Sequence, residues 1–256
     1  MAVWVPGHGT AAMQGVTAKK VHAIESSSSI SWAKKVAKAN GFDNKIIFHQ
    51  CNSLDLNLNE KVDLVISELI GHIAFEEGIA GCLADAGKRF LVSGGKVIPS
   101  SLKLCMAMVA ETDCYQKYVN CWENVGGIDF SCLRQDATKS VYITKIDKTN
   151  IISEPSVLAE ITFKHQIKPE FNLNHVFTAC KSSKVTGLGL WFNSQLADGI
   201  ILSSEPGIET HWQQCFVPVN KPLSVKKHQS VFAKINLEFC PVNYKIENIS
   251  VDLTTR

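Results

Sequence analysis

The chain has 256 residues, of which 45% are hydrophobic and 20% are charged, a composition typical of a globular protein with one large domain or two smaller ones. Its formal net charge is only +2, and no basic stripe with interleaved aromatic residues occurs, which argues against direct nucleic acid binding. No segment reaches the roughly 20 consecutive apolar residues of a membrane helix, so we expect no membrane partner.

The nine cysteines show neither a C-x-x-C pair nor a His/Cys cluster at zinc spacing. We therefore predict no metal site and a reducing compartment, which means the cytoplasm, the nucleus or both. The first residues also lack the charged-then-apolar layout of a signal peptide.

The first hundred residues alternate strand-like and helix-like patterns. The candidate strands are AVWV at 2–5, KVHAIE at 20–25, KIIFHQ at 45–50, VDLVIS at 62–67 and KVIPSSLKL from 96. One helical pattern places Ile30, Ala33, Val36 and Ala37 on a single face and stops at Asn40–Gly41, and a second covers 79–91. Such alternation predicts a parallel sheet covered by helices, and we assign it to residues 1–100.

After about residue 105 the strand-like runs lie closer together and are separated by turn residues. They include VYITKI, AEITFKHQI, HVFTACKS, LGLWFN, GIILSS, CFVPV, QSVFAKINLEF and YKIENISVDL. We predict an antiparallel β-barrel or β-sandwich over residues 101–256. Within it, about 112–138, Tyr115, Tyr118, Val119 and Trp122 have helix-like spacing, which indicates a helical excursion from the barrel.

Glu25 ends the second candidate strand, eighteen residues after Gly7, and Gly9 lies close to that glycine. In a nucleotide-binding sheet, glycines after strand one and a carboxylate after strand two bind the phosphate or ribose of a cofactor. Each feature also has an ordinary interpretation, as a glycine turn and an exposed glutamate.

Three glutamates follow the fourth candidate strand in SELIGHIAFEEG, residues 67–78. The carboxyl edge of a parallel sheet is where such folds bind ligands, so Glu68 falls at the site by topology, and Gly71 lets the chain turn back. Two converging carboxylates repel unless a cation lies between them, and a guanidinium is the best match. We expect Glu77 to face Glu68, and Glu76 to point to water.

The segment Thr210–His211–Trp212 lies between strand-like runs of the second region. By spacing alone, a His-Trp pair in a β-protein indicates packing more often than chemistry. The other seven histidines show no metal-ligand spacing.

These segments together resemble the protein arginine methyltransferase family. SELIGHIAFEEG is similar to the double-glutamate loop of that family, and THWQQCFVPVNKPLSVKKHQSVFAKI to its Thr-His-Trp loop and the strands that follow. CWENVGGIDFSCLRQDA resembles its dimerisation arm, and FLVSGGKVIP the strand entry after the double-glutamate helix. The likeness runs in order from about residue 19 to the C-terminus.

The resemblance implies a Rossmann-like class I methyltransferase sheet, a β-barrel domain with a helical dimerisation arm, a homodimer, and protein substrates that contain arginine. It implies S-adenosylmethionine as the cofactor. Its motifs assign these roles: Gly7, Gly9, Glu25, Asn52 and Ser53 to the cofactor, Glu68, Glu77 and His211 to catalysis, and Trp212 to the substrate pocket.

The segment before Glu25 departs from the family pattern. Val5 and Pro6 stand where the family has an acidic residue, alanines follow Gly9, and the interval to Glu25 is about one helical turn short. We expect the N-terminal helices of the family to be missing. An inactive or truncated relative that acts as an interaction module is therefore the alternative hypothesis. A nicotinamide-dependent dehydrogenase would explain only Gly7, Gly9 and Glu25.

Overall fold

The computed structural model describes residues 2–5, 18–110, 112–163, 169–241 and 246–255. The helices are α1 (Ile30–Ala39), α2 (Ile79–Phe90), α3 (Thr112–Tyr118) and α4 (Arg134–Ala137). The first strands are β1 (Ala2–Val5), β2 (Val21–Ile24), β3 (Ile46–His49), β4 (Val62–Ser67), β5 (Leu91–Ile98), β6 (Ser101–Val109), β7 (Tyr142–Thr144) and β8 (Ser156–Thr162). The remaining strands are β9 (Glu170–Phe171), β10 (Asn174–Thr178), β11 (Ser183–Ala197), β12 (Ile200–Ser203), β13 (Gln214–Val225), β14 (Ser230–Phe239) and β15 (Ile246–Thr255).

The first five strands form a parallel sheet in the order β3-β2-β1-β4-β5. Helix α1 follows β2 and ends before Gly41, whose φ of 70° suits a residue without a Cβ at a helix end. Helix α2 follows β4. This arrangement confirms the predicted parallel sheet, and it brings the carboxyl ends of β2, β3 and β4 to one edge.

The two helices cover different parts of the sheet. Ala37 of α1 packs with Ala23 and Ile46 in a small apolar cluster. Leu83 and Phe90 of α2 belong instead to the main core, which also contains apolar side chains of the second sheet. The second sheet is thus fixed against α2 and β4, the two elements that flank the predicted substrate loop.

The sequence prediction of one strand from residue 96 onward is wrong. β5 begins at Leu91, directly after α2, and ends at Ile98, whereas Ser101 starts β6 in the other sheet. Pro99 separates the two strands because it has no N–H for a strand ladder. Gly94 and Gly95, which resemble a turn in the sequence, lie within β5 near a register shift opposite Val62 and Leu64.

The second sheet has ten strands, with β6, β8, β10, β11 and β13–β15 forming most of it. Among the strand pairs formed by the described residues of this sheet, β13 with β15 is parallel, at Val219 and Val251, and the others are antiparallel. β11 spans fifteen residues and pairs with both β6 and β13. Gly187 lets β11 approach β13, since a Cβ there would lie 2.3 Å from the carbonyl oxygen of Val217. The predicted antiparallel β-architecture is confirmed.

The segment over 112–138 leaves the sheet as α3, two short 3-10 helices (Asn120–Glu123 and Ser131–Leu133) and α4. Tyr115 anchors it, because its buried hydroxyl donates to the carbonyl oxygens of Val219 (3.0 Å) and Asn220 (3.1 Å). The guanidinium of Arg134 donates in turn to the Tyr115 hydroxyl at 2.9 Å. A single phenol therefore connects both ends of the arm to strand β13.

We expect Tyr115→Phe to lower the free energy of unfolding by about 1 kcal/mol, because it removes a buried hydrogen-bond donor while keeping the packed ring. Urea denaturation of the two proteins measures the difference. Tyr118→Phe, on a half-buried ring of the same helix, is the matched control. Equal loss in both variants would show that the hydroxyl of Tyr115 has no special role.

Candidate functional site

The glutamate loop, residues 67–78, connects β4 to α2 at the carboxyl edge of the parallel sheet. Gly71 and Ala74 exchange backbone hydrogen bonds of 3.3 and 3.0 Å, which closes a tight turn in the middle of the loop. Ala74 has a φ of 65° and Gly78, at the start of α2, a φ of 81°. The turn reverses the chain, so that Glu77 returns toward Glu68 at the end of β4.

The carboxylates of this loop influence one another. Partial burial raises the pKa of Glu77, and the charges of Glu68 and then Glu76 raise it further. His72 and His211 act in the opposite direction. Glu68 and Glu77 of this loop thus lie near each other and near His211 of the second region, in a cluster with a surplus of negative charge. A planar cation with several donors is the ligand that such a cluster favours.

The barrel loop, residues 204–213, lies against the glutamate loop through two hydrogen bonds. The indole N–H of the buried Trp212 donates to the carbonyl oxygen of Ile70 at 2.5 Å. The Nδ1–H of His72 donates to the carbonyl oxygen of Trp212, also at 2.5 Å. Trp212 additionally packs edge-on against Phe192, with ring centroids 5.1 Å apart. Trp212 therefore positions the glutamate loop, and its predicted contact with substrate stays a prediction.

His211 extends outward from this junction. Its ring lies over that of Trp212, with centroids 3.8 Å apart and the planes inclined by 34°. The side chain is exposed, while its neighbour is buried. Because Trp212 is fixed by β11 and by the glutamate loop, it holds the His211 imidazole near the carboxylates.

Glu76 does not behave as the sequence suggested. Its carboxylate accepts a hydrogen bond from the backbone N–H of His72 and lies over Gly71, and the side chain is half-buried. Glu77 is the more exposed member of the pair. The expectation that Glu76 points to water is therefore wrong, because the tight turn offers its carboxylate a backbone donor.

A cavity of about 470 Å³ opens beside the glutamate loop. Its lining includes Glu25, Asn52, Ser53 and Glu77. The volume lies within the range of small-molecule sites. The fold thus gathers three of the predicted cofactor residues and one predicted catalytic residue around one space. Gly7 and Gly9, also predicted to bind the cofactor, lie outside the described residues.

Local hydrogen bonds shape the polar wall of the cavity. One carboxylate oxygen of Glu25 accepts from the backbone N–H of Ser27 at 2.7 Å. The Asn52 side-chain oxygen accepts from the N–H of Leu54 at 3.0 Å, and the Ser53 hydroxyl lies 3.4 Å from the Cys82 sulfur. Burial raises the pKa of the Cys82 thiol. The wall thus combines a fixed carboxylate, a polar turn and neutral sulfur.

Asp85 and Arg89, a pair that the sequence predictions did not include, organise this wall. Arg89 donates from Nε to Asp85 at 2.8 and 3.0 Å, and from Nη2 to the carbonyl oxygen of Ser53 at 2.7 Å. It also donates to the carbonyl oxygen of Leu56. Asp85 itself lines the cavity. The i,i+4 spacing of Asp85 and Arg89 on α2 was the available signal, but such pairs are common on exposed helix faces.

Two other kinds of site are not found in the described ranges. No group of three or more His, Cys, Asp or Glu side chains there is arranged to hold a metal ion. Among the described helices, none is long and apolar enough to cross a membrane.

Comparison with known proteins identifies the family. Residues 101–256 match the family model of the arginine methyltransferase oligomerization subdomain. The chain belongs to the protein arginine methyltransferase family. It is 26% identical to the probable protein arginine N-methyltransferase 6 of Arabidopsis thaliana over 93% of this chain and 65% of that protein. It is 24% identical to protein arginine N-methyltransferase 1 of Dictyostelium discoideum over 84% of this chain and 65% of that protein.

Solved structures of arginine methyltransferases share the fold. The Trypanosoma brucei PRMT1 enzyme-prozyme heterotetrameric complex with AdoHcy superposes with a TM-score of 0.85 and 22% identity, covering 100% of this chain and 84% of that chain. Arabidopsis thaliana protein arginine methyltransferase 10 gives a TM-score of 0.78 at 19% identity, covering 99% and 84%. The predicted combination of a Rossmann-like sheet and a β-barrel domain is confirmed.

We expect Arg89→Ala to release the turn at residues 53–56 of this methyltransferase fold, because three of the hydrogen-bond partners of Arg89 lie in that turn or on α2. Hydrogen–deuterium exchange of the corresponding peptide should increase, since its backbone loses a fixed partner. Lys88→Ala removes an adjacent exposed charge and is the matched control. Unchanged exchange in Arg89→Ala would contradict the role of this residue.

Proposed function

We propose that the chain is a protein arginine N-methyltransferase that transfers a methyl group from S-adenosylmethionine to the guanidinium of arginine in protein substrates. The observation that carries the proposal is the position of Glu77. This residue lines the cavity and also belongs to the carboxylate pair with Glu68. A cofactor in the cavity and a guanidinium between the carboxylates would therefore be neighbours.

The names of the relatives support the activity. The matched Arabidopsis and Dictyostelium proteins are named protein arginine N-methyltransferases, and the Trypanosoma structure contains AdoHcy. The chain spans 65% of the length of each of those two curated relatives. The activity of this chain accordingly rests on its own site as well as on the family.

The cavity suits the adenosine part of S-adenosylmethionine. Glu25 offers carboxylate oxygens to the two ribose hydroxyls, which is the role of an acidic residue at this edge of such sheets. Asn52 and Ser53 provide polar groups, and Leu54 an apolar one, for the adenine ring. When bound, S-adenosylmethionine supplies an electrophilic methyl group on a sulfonium sulfur.

The protein's own residues supply binding and orientation. Glu68 and Glu77 would accept hydrogen bonds from two guanidinium nitrogens, which holds the positive charge there and directs the third nitrogen to the cavity. Positioning and electrostatic stabilisation of this kind account for most of the rate gain in group transfer. Glu77 can also accept the proton lost by the methylated nitrogen, because its pKa is raised.

Isothermal titration with S-adenosylmethionine, followed by a methyl-transfer assay on an arginine-rich peptide, tests this function. We expect binding, and a fall in kcat/KM of about 100-fold or more in Glu68→Gln, because one charged acceptor for the guanidinium is lost. Glu154→Gln, on an exposed glutamate elsewhere in the barrel, is the control. Absence of cofactor binding at millimolar concentration would contradict the proposal and favour the alternative of an inactive interaction module.

The negative charge on Glu77 should lower the free energy of unfolding. Its folded-state pKa is raised, so ionisation at neutral pH opposes folding, and this cost disappears as the pH falls below the folded-state pKa. We expect Glu77→Gln to lose methyl transfer and yet to raise Tm at pH 7, with no gain at pH 3. A Tm loss at pH 7 would show that the carboxylate stabilises the fold. Calorimetric scans at the two pH values measure this.

The matched family model describes an oligomerization subdomain, and we propose that this chain forms a homodimer through its arm. The arm exposes Ile128 (61%) and Val125 (45%), while Trp32 of α1 is 70% exposed. Burying these apolar side chains between two copies would remove them from water. The cytoplasmic or nuclear location stays a prediction from the sequence.

We expect sedimentation at micromolar concentration to show a dimer, and Ile128→Asp to shift it to monomer without loss of helical content. The reason is that a buried interfacial carboxylate without a partner is costly. Ile201→Asp, at a comparably exposed isoleucine on β12, is the matched control. A wild-type monomer would contradict the homodimer, and equal effects of both changes would contradict the role of the arm.

A further inference from the structure

Glu76 occupies an unusual place among the three carboxylates of the glutamate loop. Its carboxylate accepts a hydrogen bond from the backbone N–H of His72, across the turn that Gly71 and Ala74 close. The turn lies between Glu68 and Glu77 in the sequence. The hydrogen bond from His72 to Glu76, which we call the brace, therefore restricts how far Glu68 and Glu77 can separate.

Gly71 makes this arrangement sterically feasible. A Cβ at Gly71 would lie 2.0 Å from Cγ, 2.6 Å from Cδ and 2.4 Å from Oε1 of Glu76. The backbone of Gly71 is not in the left-handed region, which means that glycine is required there for space and not for its conformational freedom. Glycine at 71 and glutamate at 76 therefore form one unit: the first provides the room that the second fills.

The brace also connects to the barrel domain. His72, whose N–H is held by Glu76, donates from its ring to the carbonyl oxygen of Trp212, and Trp212 donates back to Ile70. The charge of Glu76 also contributes, after burial, to the raised pKa of Cys215 on β13. Glu76, within the glutamate loop, is thus also near β13, the strand that follows the barrel loop.

We propose that Glu76 is a positioning residue for the Glu68–Glu77 pair: it braces the Gly71–Ala74 turn, fixes His72 for its contact with Trp212, and so sets the separation of the two carboxylates that bind the substrate guanidinium. This inference rests on the proposed methyltransferase function for its substrate, and on the geometry of the loop for the brace itself. Glu76 acts through its neighbours and needs no contact with the substrate.

Glu76 acts in two ways: it accepts a hydrogen bond from the N–H of His72, and its negative charge acts on Glu77. The two effects can be separated by mutation. The groups that affect the titration of Glu77 are Glu68, Glu76, His72 and His211. In Glu76→Gln, an amide oxygen still accepts from the N–H of His72, but the negative charge is gone. The pKa of Glu77 should then fall, so the pair stays ionised to lower pH.

A double-mutant cycle tests the brace. We expect Gly71→Ala and Glu76→Ala each to raise the KM for an arginine peptide by about 10-fold or more, since a small displacement of positioned groups is costly. The double variant should resemble Glu76→Ala alone, because the three atoms nearest to an added Cβ at residue 71 all belong to the part of the Glu76 side chain that Glu76→Ala removes. Independent sites would give additive effects. Thermal unfolding of the wild type, the two single variants and the double variant measures the coupling between residues 71 and 76 without an activity assay.

The charge is tested by the pH dependence of kcat/KM. We expect Glu76→Gln to keep KM within about threefold of wild type, because the hydrogen bond is retained. The acid limb of the profile of kcat/KM against pH should move to lower pH, because the negative charge of Glu76 is lost. Glu154→Gln should leave that limb in place. Additive effects in the unfolding cycle would overturn the brace. An active wild type with an unchanged KM in Glu76→Ala would overturn the positioning role, whereas an inactive wild type would count against the proposed function instead.

Discussion

The hydrogen-bonded junction between the glutamate loop and the barrel loop is the contact on which the rest of the site depends. Trp212 and Ile70 are 142 residues apart in the sequence, yet the indole N–H of one reaches the carbonyl oxygen of the other inside an apolar environment. A buried backbone carbonyl without a partner is costly, so the junction favours a single arrangement of the two loops. The arrangement of Glu77 relative to His211 follows from it.

Placing three carboxylates within one loop opposes folding, and the structure offsets this cost locally. Glu76 accepts a backbone hydrogen bond, and Glu77 keeps partial contact with water. Glu68 and Glu76 raise the pKa of Glu77, whereas His72 and His211 lower it. The remaining repulsion is useful to a binding site, because a guanidinium that enters between the carboxylates relieves it. Relief of the repulsion between the carboxylates would therefore contribute to the free energy of binding a cation.

The fold could be predicted from the sequence, and candidate site residues could be named, because the signals for both are local or topological. The apolar run of β4 ends at Ser67, and the carboxyl edge of a parallel sheet places Glu68 at the ligand side. The division between β5 and β6 was missed because short strand-like runs, KVI before Pro99 and LKL after Ser101, stand close together in the sequence. Glu76 was misplaced because its partner is the backbone N–H of His72, and Arg89 was missed because, besides Asp85, its partners are the backbone carbonyls of Ser53 and Leu56. Such partners have no signature in a residue pattern.

The same kind of backbone partner bears on the proposed role of Glu25 in cofactor binding. The N–H of Ser27 donates to one carboxylate oxygen of Glu25, which fixes the orientation of the side chain over the cavity. A carboxylate has about four lone-pair positions, so this bond leaves capacity for both hydroxyls of a ribose. Arg89 holds the opposite turn at Ser53 through a separate set of bonds. Both walls of the cavity are thus fixed before a ligand enters, which reduces the entropy that binding must overcome.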